Sequence, residues 1–184
     1  MNNPVVDWFG ASFKELDPLL QELHRNGGDL TGVVDLEFGS GIAGVIGRSL
    51  ALKLGLPVKA GKQKFSVSIS HQGGALRWAR QFDLHHNMVS LFVPHGSFPA
   101  GYWSETTGKL ALELGVVIKE GGWYWVQRKI KFRGIPLPLW LFPASHAYKR
   151  IKNGLYEFSV TFSLPVIGKL LSYSGVLTPK TKFV

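Results

Sequence analysis

Three segments of the chain alternate between apolar and polar residues, and each carries one basic residue within its apolar row. Residues two apart share one face of a strand, so Arg80 and Arg128 are expected to point into whatever the sheet encloses. An unpaired buried charge is very costly, so these arginines need an internal carboxylate such as Glu105, water in a cavity or an acidic ligand. The rows are Phe65, Val67, Ile69 and His71; Leu76, Trp78, Arg80 and Phe82; and Tyr124, Val126, Arg128, Ile130 and Phe132.

Alternation with a period of two continues from residue 64 almost to the end of the chain. Glycine-containing turns separate many of the segments, and Asn153-Gly154 is the strongest hairpin signal. Three prolines within residues 134–143 predict a short apolar plug or corner there. The even-numbered residues from Leu110 to Ile118 are expected to face inward, together with Tyr156, Phe158, Val160 and Phe162. The predicted strands are 64–71, 75–83, 87–93, 100–106, 109–118, 123–132, 145–152, 155–163 and 171–178.

The first part of the chain has a different pattern. Helical spacing predicts a helix over about 11–25, with Ser12 and Glu15 as a capping box. A strand over 31–38 and a second helix over about 42–54 follow. We therefore predict one domain over 1–184, in which 1–58 is a helical part with one strand and 59–184 is an antiparallel β meander.

A long antiparallel meander must bury one apolar face, either by closing into a barrel or by gripping a helix. The order of elements favours a mainly β fold, a calycin- or lipocalin-like barrel with short N-terminal helices. An α+β helix-grip fold is the alternative. It would normally have a long helix near the C-terminus, whereas this chain ends in strand-like sequence.

Charge is distributed unevenly along the chain, whose formal net charge is +9. Residues 1–58 carry four Lys/Arg and seven Asp/Glu, and residues 59–184 carry seventeen and five. Such a basic body attracts nucleic acid, anionic lipid or an acidic small molecule. No secretory start or membrane-spanning segment is apparent, so a cytoplasmic protein is expected, and the oligomeric state stays open.

The segment Gly39-Ser40-Gly41-Ile42-Ala43-Gly44 matches the dinucleotide-binding pattern between a strand and a helix. An NAD(P)-linked oxidoreductase, or an accessory domain of one, is therefore an alternative function. Against it, the preceding strand carries Asp35 and Glu37, and no further strand–helix–strand units follow. We expect no cofactor and interpret these glycines as a tight strand-to-helix junction.

Other chemical motifs are sparse. The histidines lack metal-ligand spacing, so no metal site is predicted. Neither a nucleophile elbow nor a phosphate-binding loop is present, so no catalytic residue is predicted. A binding protein is therefore favoured over an enzyme. The helix that carries Arg48 and Lys53 is mildly amphipathic and could contact an anionic membrane surface. Single-stranded nucleic acid is a less favoured partner, suggested by Trp123 and Trp125 beside Lys129, Lys131, Arg133, Lys149, Arg150 and Lys152.

Several segments resemble a known family. They are R-G-I-P-L-P-L-W-L-F-P at 133–143, residues 156–177, Leu23-His24, the glycine-rich segment through Leu56-Pro57, and W-A-R-Q-F at 78–82. Together they are similar to the bacterial domain of unknown function numbered 4166. That family occurs alone or beside an NAD(P)-binding, saccharopine-dehydrogenase-like domain, which no segment here supplies. The resemblance implies a bacterial, cytoplasmic, uncharacterised protein and implies no catalytic residue.

The residues themselves support one site hypothesis. A guanidinium–carboxylate pair suits a site with large apolar neighbours, so we predict an internal cavity that binds an amphiphilic or aromatic acid. In the competing account, Arg80 is paired with Glu105 inside a dry core. The predicted ligand-binding residues are Arg80, Arg128, His71, Trp78, Tyr156 and Glu105.

Overall fold

Antiparallel strands dominate the computed structural model, which describes residues 3–107 and 109–181. In this part of the chain the sheet order is β6-β5-β4-β3-β2-β1-β11-β10-β9-β7-β8. An additional β6–β7 pairing closes ten of the strands into a barrel, and β8 lies outside the ring beside β7. The strands are β1 (Gly28–Phe38), β2 (Gly61–Gln72), β3 (Ala75–Phe82), β4 (His86–His95), β5 (Tyr102–Thr107), β6 (Leu110–Lys119), β7 (Gly122–Phe132), β8 (Ile135–Leu137), β9 (Ala144–Lys152), β10 (Leu155–Leu164) and β11 (Gly168–Thr181).

This closed barrel confirms the predicted mainly β, calycin- or lipocalin-like fold rather than the helix-grip alternative. The predicted inward face of two strands is also confirmed. Leu114 and Val116 of β6 and Tyr156 and Phe158 of β10 are buried. Leu112, Ile118, Val160 and Phe162 of the same rows pack against the core. Alternation therefore identified the enclosed face of these strands, since a strand places alternate side chains on opposite sides of the sheet.

The N-terminal helices differ from the prediction. They are α1 (Pro4–Phe9), a 3-10 helix (Gly10–Glu15) and α2 (Pro18–Asn26). The expected continuous helix with a Ser12/Glu15 capping box is wrong, because Pro18 lacks an N–H and fits only the first turn of a helix. The carboxylate of Asp17 caps α2 instead and accepts a hydrogen bond of 2.9 Å from the Leu19 amide.

These helices close one end of the barrel, which we call the plugged end. The turns β2–β3, β4–β5, β6–β7 and β9–β10 lie there, because antiparallel strands alternate in direction. The ring of Trp8 packs 5.2 Å from that of Trp103, and the ring of Phe9 packs 4.8 Å from that of Trp123. The Asp17 amide donates to the carbonyl of Gly121 over 2.9 Å. The plug is thereby joined to the rim by both packing and backbone hydrogen bonds.

The opposite end, which we call the loop end, carries the connections at 55–60, 83–85, 133–143 and 165–167 and Lys109 before β6, together with α3 (Gly41–Leu54). The segment at 133–143 forms β8 and a 3-10 turn (Leu139–Leu141), in which Trp140 is 68% exposed. It is therefore a surface corner, which is one of the two outcomes that the prolines predicted, and it does not form a plug.

The glycine-rich segment packs α3 against the sheet. A Cβ atom on Gly39 would lie 2.1 Å from the carbonyl oxygen of Lys169, and one on Gly47 would lie 2.1 Å from that of Leu170. The helix is followed by β2, which runs antiparallel to β1. A dinucleotide-binding unit requires parallel strands around the helix, so the glycine pattern here lacks that context.

A β-bulge reverses the expected faces of β7. Leu114 pairs with Gln127 while Glu113 pairs with Lys129, which leaves Arg128 as the extra residue. The prediction that Tyr124, Val126 and Arg128 point inward is therefore wrong. Trp123 and Trp125 lie inside instead, and after the bulge Ile130 faces inward as expected.

Within the described residues, no helix combines the length and the apolar character that a membrane crossing requires.

Candidate ligand-binding site

Arg80 lies on the inner face of β3, as the sequence predicted, and is 8% exposed. Its Nη1 donates to the hydroxyl of Tyr173 over 3.1 Å, and its Nη2 donates to the hydroxyl of Ser90. In the described part of the chain, no carboxylate oxygen lies within 4.0 Å of the guanidinium. The competing account, an Arg80–Glu105 ion pair, is therefore wrong.

A small cavity of about 20 Å³ adjoins this arginine. A cavity of that size holds about one water molecule. Three of its lining residues have a buried polar atom without a hydrogen-bond partner in the part of the chain that the structure describes: Nε of Arg80, Nε1 of Trp78 and the hydroxyl of Tyr156. Burial also raises the pKa of Tyr156, so its phenol keeps its proton. The lining residues are Phe65, Val67, Trp78, Arg80, Tyr156, Phe158, Val160, Tyr173 and Leu177.

A second cationic side chain in the interior was not predicted as a site residue. Lys149 of β9 is only 1% exposed, and its Nζ lies 3.7 Å from the ring centre of Trp123 and 4.2 Å from that of Trp78. The ring of Trp125 is 5.6 Å away. The faces of these rings attract a cation. Burial nevertheless lowers the pKa of Lys149 well below its ordinary range, and the charge of nearby Arg80 adds to this effect.

His24 of α2 completes this cluster and is fully buried. Its Nδ1 lies 2.9 Å from the carbonyl oxygen of Leu20, which can only accept, so Nδ1 is assigned the proton. Nε2 is then free to accept a hydrogen bond from Nζ of Lys149. Burial, and secondarily the charge of Lys149, lowers the pKa of His24 well below 6.5 and keeps the ring neutral.

Alternation could have identified Lys149. It shares a row with Ser145, Ala147 and Ile151, whereas the other row of β9 is His146, Tyr148, Arg150 and Lys152. A lysine in the less polar row is expected to face inward. His24 follows Leu20 by four residues, which places it on the buried stripe of α2.

The structure brings together three of the predicted site residues: Trp78, Arg80 and Tyr156. Glu105 lies on β5 opposite Phe92 and Leu112 and makes no ion pair with Arg80. His71 is at the plugged end, where Nδ2 of Asn3 lies 3.4 Å from its Nε2, and it does not line the cavity. Burial lowers the pKa of His71.

Arg128 is outside the cavity because of the bulge in β7. Its Nη1 donates to the carbonyl of Ala100 over 2.8 Å, and its Nη2 donates to that of Pro99 over 3.1 Å. Its guanidinium lies over Gly115, where a Cβ atom would come within 2.2 Å of Nε. Arg128 therefore ties the barrel wall to the β4–β5 loop.

The surface suggested for nucleic acid does not have the expected composition. Trp123 is fully buried and Trp125 packs against the core, so neither offers an exposed stacking face. Lys149 is buried as well. Arg150 forms a salt bridge with Glu157, and Lys131 forms one with Glu113. These residues do not form the basic surface with aromatic platforms that single-strand binders use.

Across residues 3–107 and 109–181, no group of three or more His, Cys, Asp or Glu side chains is arranged to hold a metal ion. The interior offers positive charge and hydrogen-bond donors among aromatic rings. These features are suited to an anion that carries an apolar part.

The architecture defines the class of protein: a closed antiparallel β-barrel whose interior contains buried cationic and aromatic side chains. Such a barrel is compatible with ligand binding. The chain belongs to the DUF4166 family, a domain of unknown function, whose model matches residues 16–177 and confirms the resemblance seen in the sequence. No curated protein and no solved structure matches the chain.

Proposed function

We propose that the barrel binds an amphiphilic or aromatic organic acid. The carboxylate lies at Arg80, and the apolar part lies among the rings of the interior. Trp78 and Tyr156 complete the ligand-binding site. The protein acts in this proposal as a binding protein rather than an enzyme.

The observation that carries the proposal is buried positive charge without a buried carboxylate partner. Arg80 and Lys149 are both enclosed, and in the described residues neither makes an ion pair with Asp or Glu. Buried charges in proteins are normally paired, because desolvation is otherwise uncompensated. An acidic ligand would supply the missing partner, and a guanidinium group suits a carboxylate particularly well.

The unpartnered polar atoms add to this argument. Arg80 Nε and Trp78 Nε1 are donors, and the protonated Tyr156 hydroxyl is a third. All three residues line one cavity. A carboxylate accepts several hydrogen bonds, so one ligand group could satisfy these atoms together.

The size of the cavity sets a condition on binding. About 20 Å³ is far below the roughly 300–1,000 Å³ of typical small-molecule sites. An amphiphilic acid therefore enters only if the surrounding side chains, such as Phe158 and Val160, move apart. We expect binding to proceed by opening of the barrel interior.

A fluorescent fatty acid, anthroyloxy-stearate, tests the proposal. Arg80→Met should lower its affinity about ten- to a hundredfold, the range expected when a hydrogen bond to a charged group is lost. Arg77→Met is the matched control, because Arg77 lies on the outer face of the same strand, and it should bind normally. Failure of the parent protein to bind organic acids, or equal binding by Arg80→Met, would contradict the proposal.

Stability measurements separate a ligand site from a structural role. Because no carboxylate among the described residues pairs with Arg80, Arg80→Met should retain most of the free energy of unfolding. A loss of about 3–5 kcal/mol, as for a broken buried ion pair, would instead indicate a structural role. Native mass spectrometry of protein from its own source should show a retained acid as added mass.

The oxidoreductase alternative has no comparable support. Gly39 and Gly47 are needed for the close approach of α3 to β11, and that packing accounts for them without a nucleotide.

A further inference from the structure

The two ends of the barrel differ in their exposed apolar residues. No large apolar side chain is exposed in the described connections of the plugged end or in the N-terminal helices. At the loop end, exposed apolar side chains come from α3 and from four separate connections. They are Ile42, Val45, Leu52, Val58, Leu84, Ile135, Leu139, Trp140, Leu141, Val166 and Ile167.

Helix α3 contributes a continuous stripe to this surface. Ile42, Val45, Ser49 and Leu52 follow one another at intervals of three or four residues and therefore share one face. The helix starts at the loop end, and its C-terminal Gly55 lies beside Asn87 near the start of β4, at the same end. The exposed stripe thus extends the apolar surface formed by the connections.

The turn between β10 and β11 carries an apolar residue, Val166, that the local backbone conformation does not require. Its φ of 67° lies in the left-handed region, which a β-branched residue adopts at a cost. The side chain is fully exposed in the turn between β10 and β11. Glycine or asparagine would suit this turn better, so folding does not explain the valine.

The two ends of the barrel also differ in charge. In the described part of the loop end, the connections and α3 carry Arg48, Lys53, Lys59, Lys109 and Arg133 against one acid, Asp83. In the described part of the plugged end the balance is reversed, with two Lys/Arg and five Asp/Glu. Those residues are Lys14, Arg25, Asp7, Glu15, Asp17, Glu22 and Glu120.

We propose that the loop end docks on the surface of an anionic phospholipid membrane. Basic residues around exposed apolar tips match a surface that is negative at the headgroups and apolar beneath them. Tryptophan prefers the boundary between these two layers, the position that Trp140 would take. Apolar tips on separate connections can enter a fluid interface without the shape complementarity that a protein partner demands. This proposal does not depend on the interior ligand.

Vesicle flotation tests the proposal with the full chain. The parent protein should float with vesicles that contain phosphatidylglycerol, bind phosphatidylcholine vesicles more weakly, and lose binding as salt screens the charges. Lys53→Gln and Lys59→Gln should each weaken binding about fivefold, the change that corresponds to one basic residue near the surface. Lys14→Gln at the plugged end should have no effect.

The apolar tips are tested separately. The double variant Trp140→Ser, Val166→Ser should lose most of its binding, whereas Val117→Ser and Val176→Ser, each 50% exposed on the barrel wall, should bind like the parent. Vesicles should also protect Trp140 from acrylamide quenching. No flotation at low salt, or equal losses in the wall variants, would overturn the proposal. Self-association abolished by the tip variants without vesicle binding would overturn it as well and indicate a second copy as the partner.

Discussion

The Nζ atom of Lys149 lies 2.6 Å from Nε2 of His24, and both side chains are almost completely enclosed. This contact joins β9 of the barrel wall to α2 of the plug. Because Nδ1 of His24 is assigned as donor to the Leu20 carbonyl, Nε2 accepts and the amine of Lys149 donates. Two groups whose pKa values are both lowered by burial therefore share one hydrogen bond at the plugged end.

The lowered pKa of Lys149 predicts that stability rises with pH on the alkaline side. Between the folded pKa and about 10.5 the unfolded chain binds more protons than the folded one, so the free energy of unfolding increases with pH. Lys149→Met should remove most of this increase and be neutral or stabilising at pH near 7, as for other buried charges replaced by apolar groups. Urea unfolding at pH of about 7 and about 9.5 measures both effects.

Lys152→Met is the control for this experiment, because Lys152 is exposed on the same strand. It should keep the pH dependence of the parent protein. An undiminished rise in stability in Lys149→Met would show that the buried lysine is not its source.

His24 predicts a loss of stability on the acid side. Its folded pKa is lowered, so below about 6.5 the unfolded chain takes up a proton that the buried ring does not, and the free energy of unfolding falls as the pH falls. His24→Phe should flatten the decrease between pH of about 6.5 and 5.5. A smaller decrease should remain, because the pKa of His71 is lowered too. His85→Gln, at an exposed position, should leave the parent profile unchanged.

Much of the fold followed from alternation, because a strand with one buried face must alternate. The predictions that were wrong or incomplete have local structural causes. One bulge residue, Arg128, exchanged the two faces of β7 over Tyr124 to Val126, and no composition signal marks a bulge at a charged residue. Arg80 was placed correctly because β3 pairs without a register shift. Lys149 was missed because it was grouped with basic neighbours along the sequence rather than with its own alternate row.

The different positions of Arg80 and Arg128 predict different consequences of the same substitution. Arg128→Met should leave fatty-acid binding unchanged, because its guanidinium lies outside the barrel. It should cost about 1 kcal/mol of stability through the lost hydrogen bonds to the Ala100 and Pro99 carbonyls. Measuring unfolding and anthroyloxy-stearate binding on this one variant checks both statements. A large loss of binding would show that Arg128 belongs to the ligand-binding site.

The glycine-rich segment predicts a packing effect rather than a nucleotide effect. Gly47→Ala should destabilise by about 1–3 kcal/mol, because its Cβ would collide with the Leu170 carbonyl. Ser49→Ala, on the exposed side of the same helix, should change stability by less than about 0.5 kcal/mol. NADPH should not quench tryptophan fluorescence in the parent protein. Saturable quenching that is lost on Gly41→Trp would instead support the oxidoreductase alternative.

The buried hydroxyl of Tyr156 has no hydrogen-bond partner among the described residues, so Tyr156→Phe should affect the free and ligand-bound protein in opposite directions. Without ligand, removing an unpaired buried polar group should leave stability unchanged or raise it by about 1 kcal/mol, since its desolvation is uncompensated. With an organic acid bound, the hydroxyl is expected to donate to the carboxylate, so the same change should reduce affinity and shrink the ligand-induced rise in Tm. Thermal unfolding with and without a saturating fatty acid measures both quantities.

Tyr173→Phe is the control for this experiment. The Tyr173 hydroxyl already accepts a hydrogen bond from Arg80, so its loss should lower stability even without ligand. If Tyr156→Phe destabilised the ligand-free protein as Tyr173→Phe does, the Tyr156 hydroxyl would have a hydrogen-bond partner within the protein. Tyr156 would then not belong to the proposed binding site.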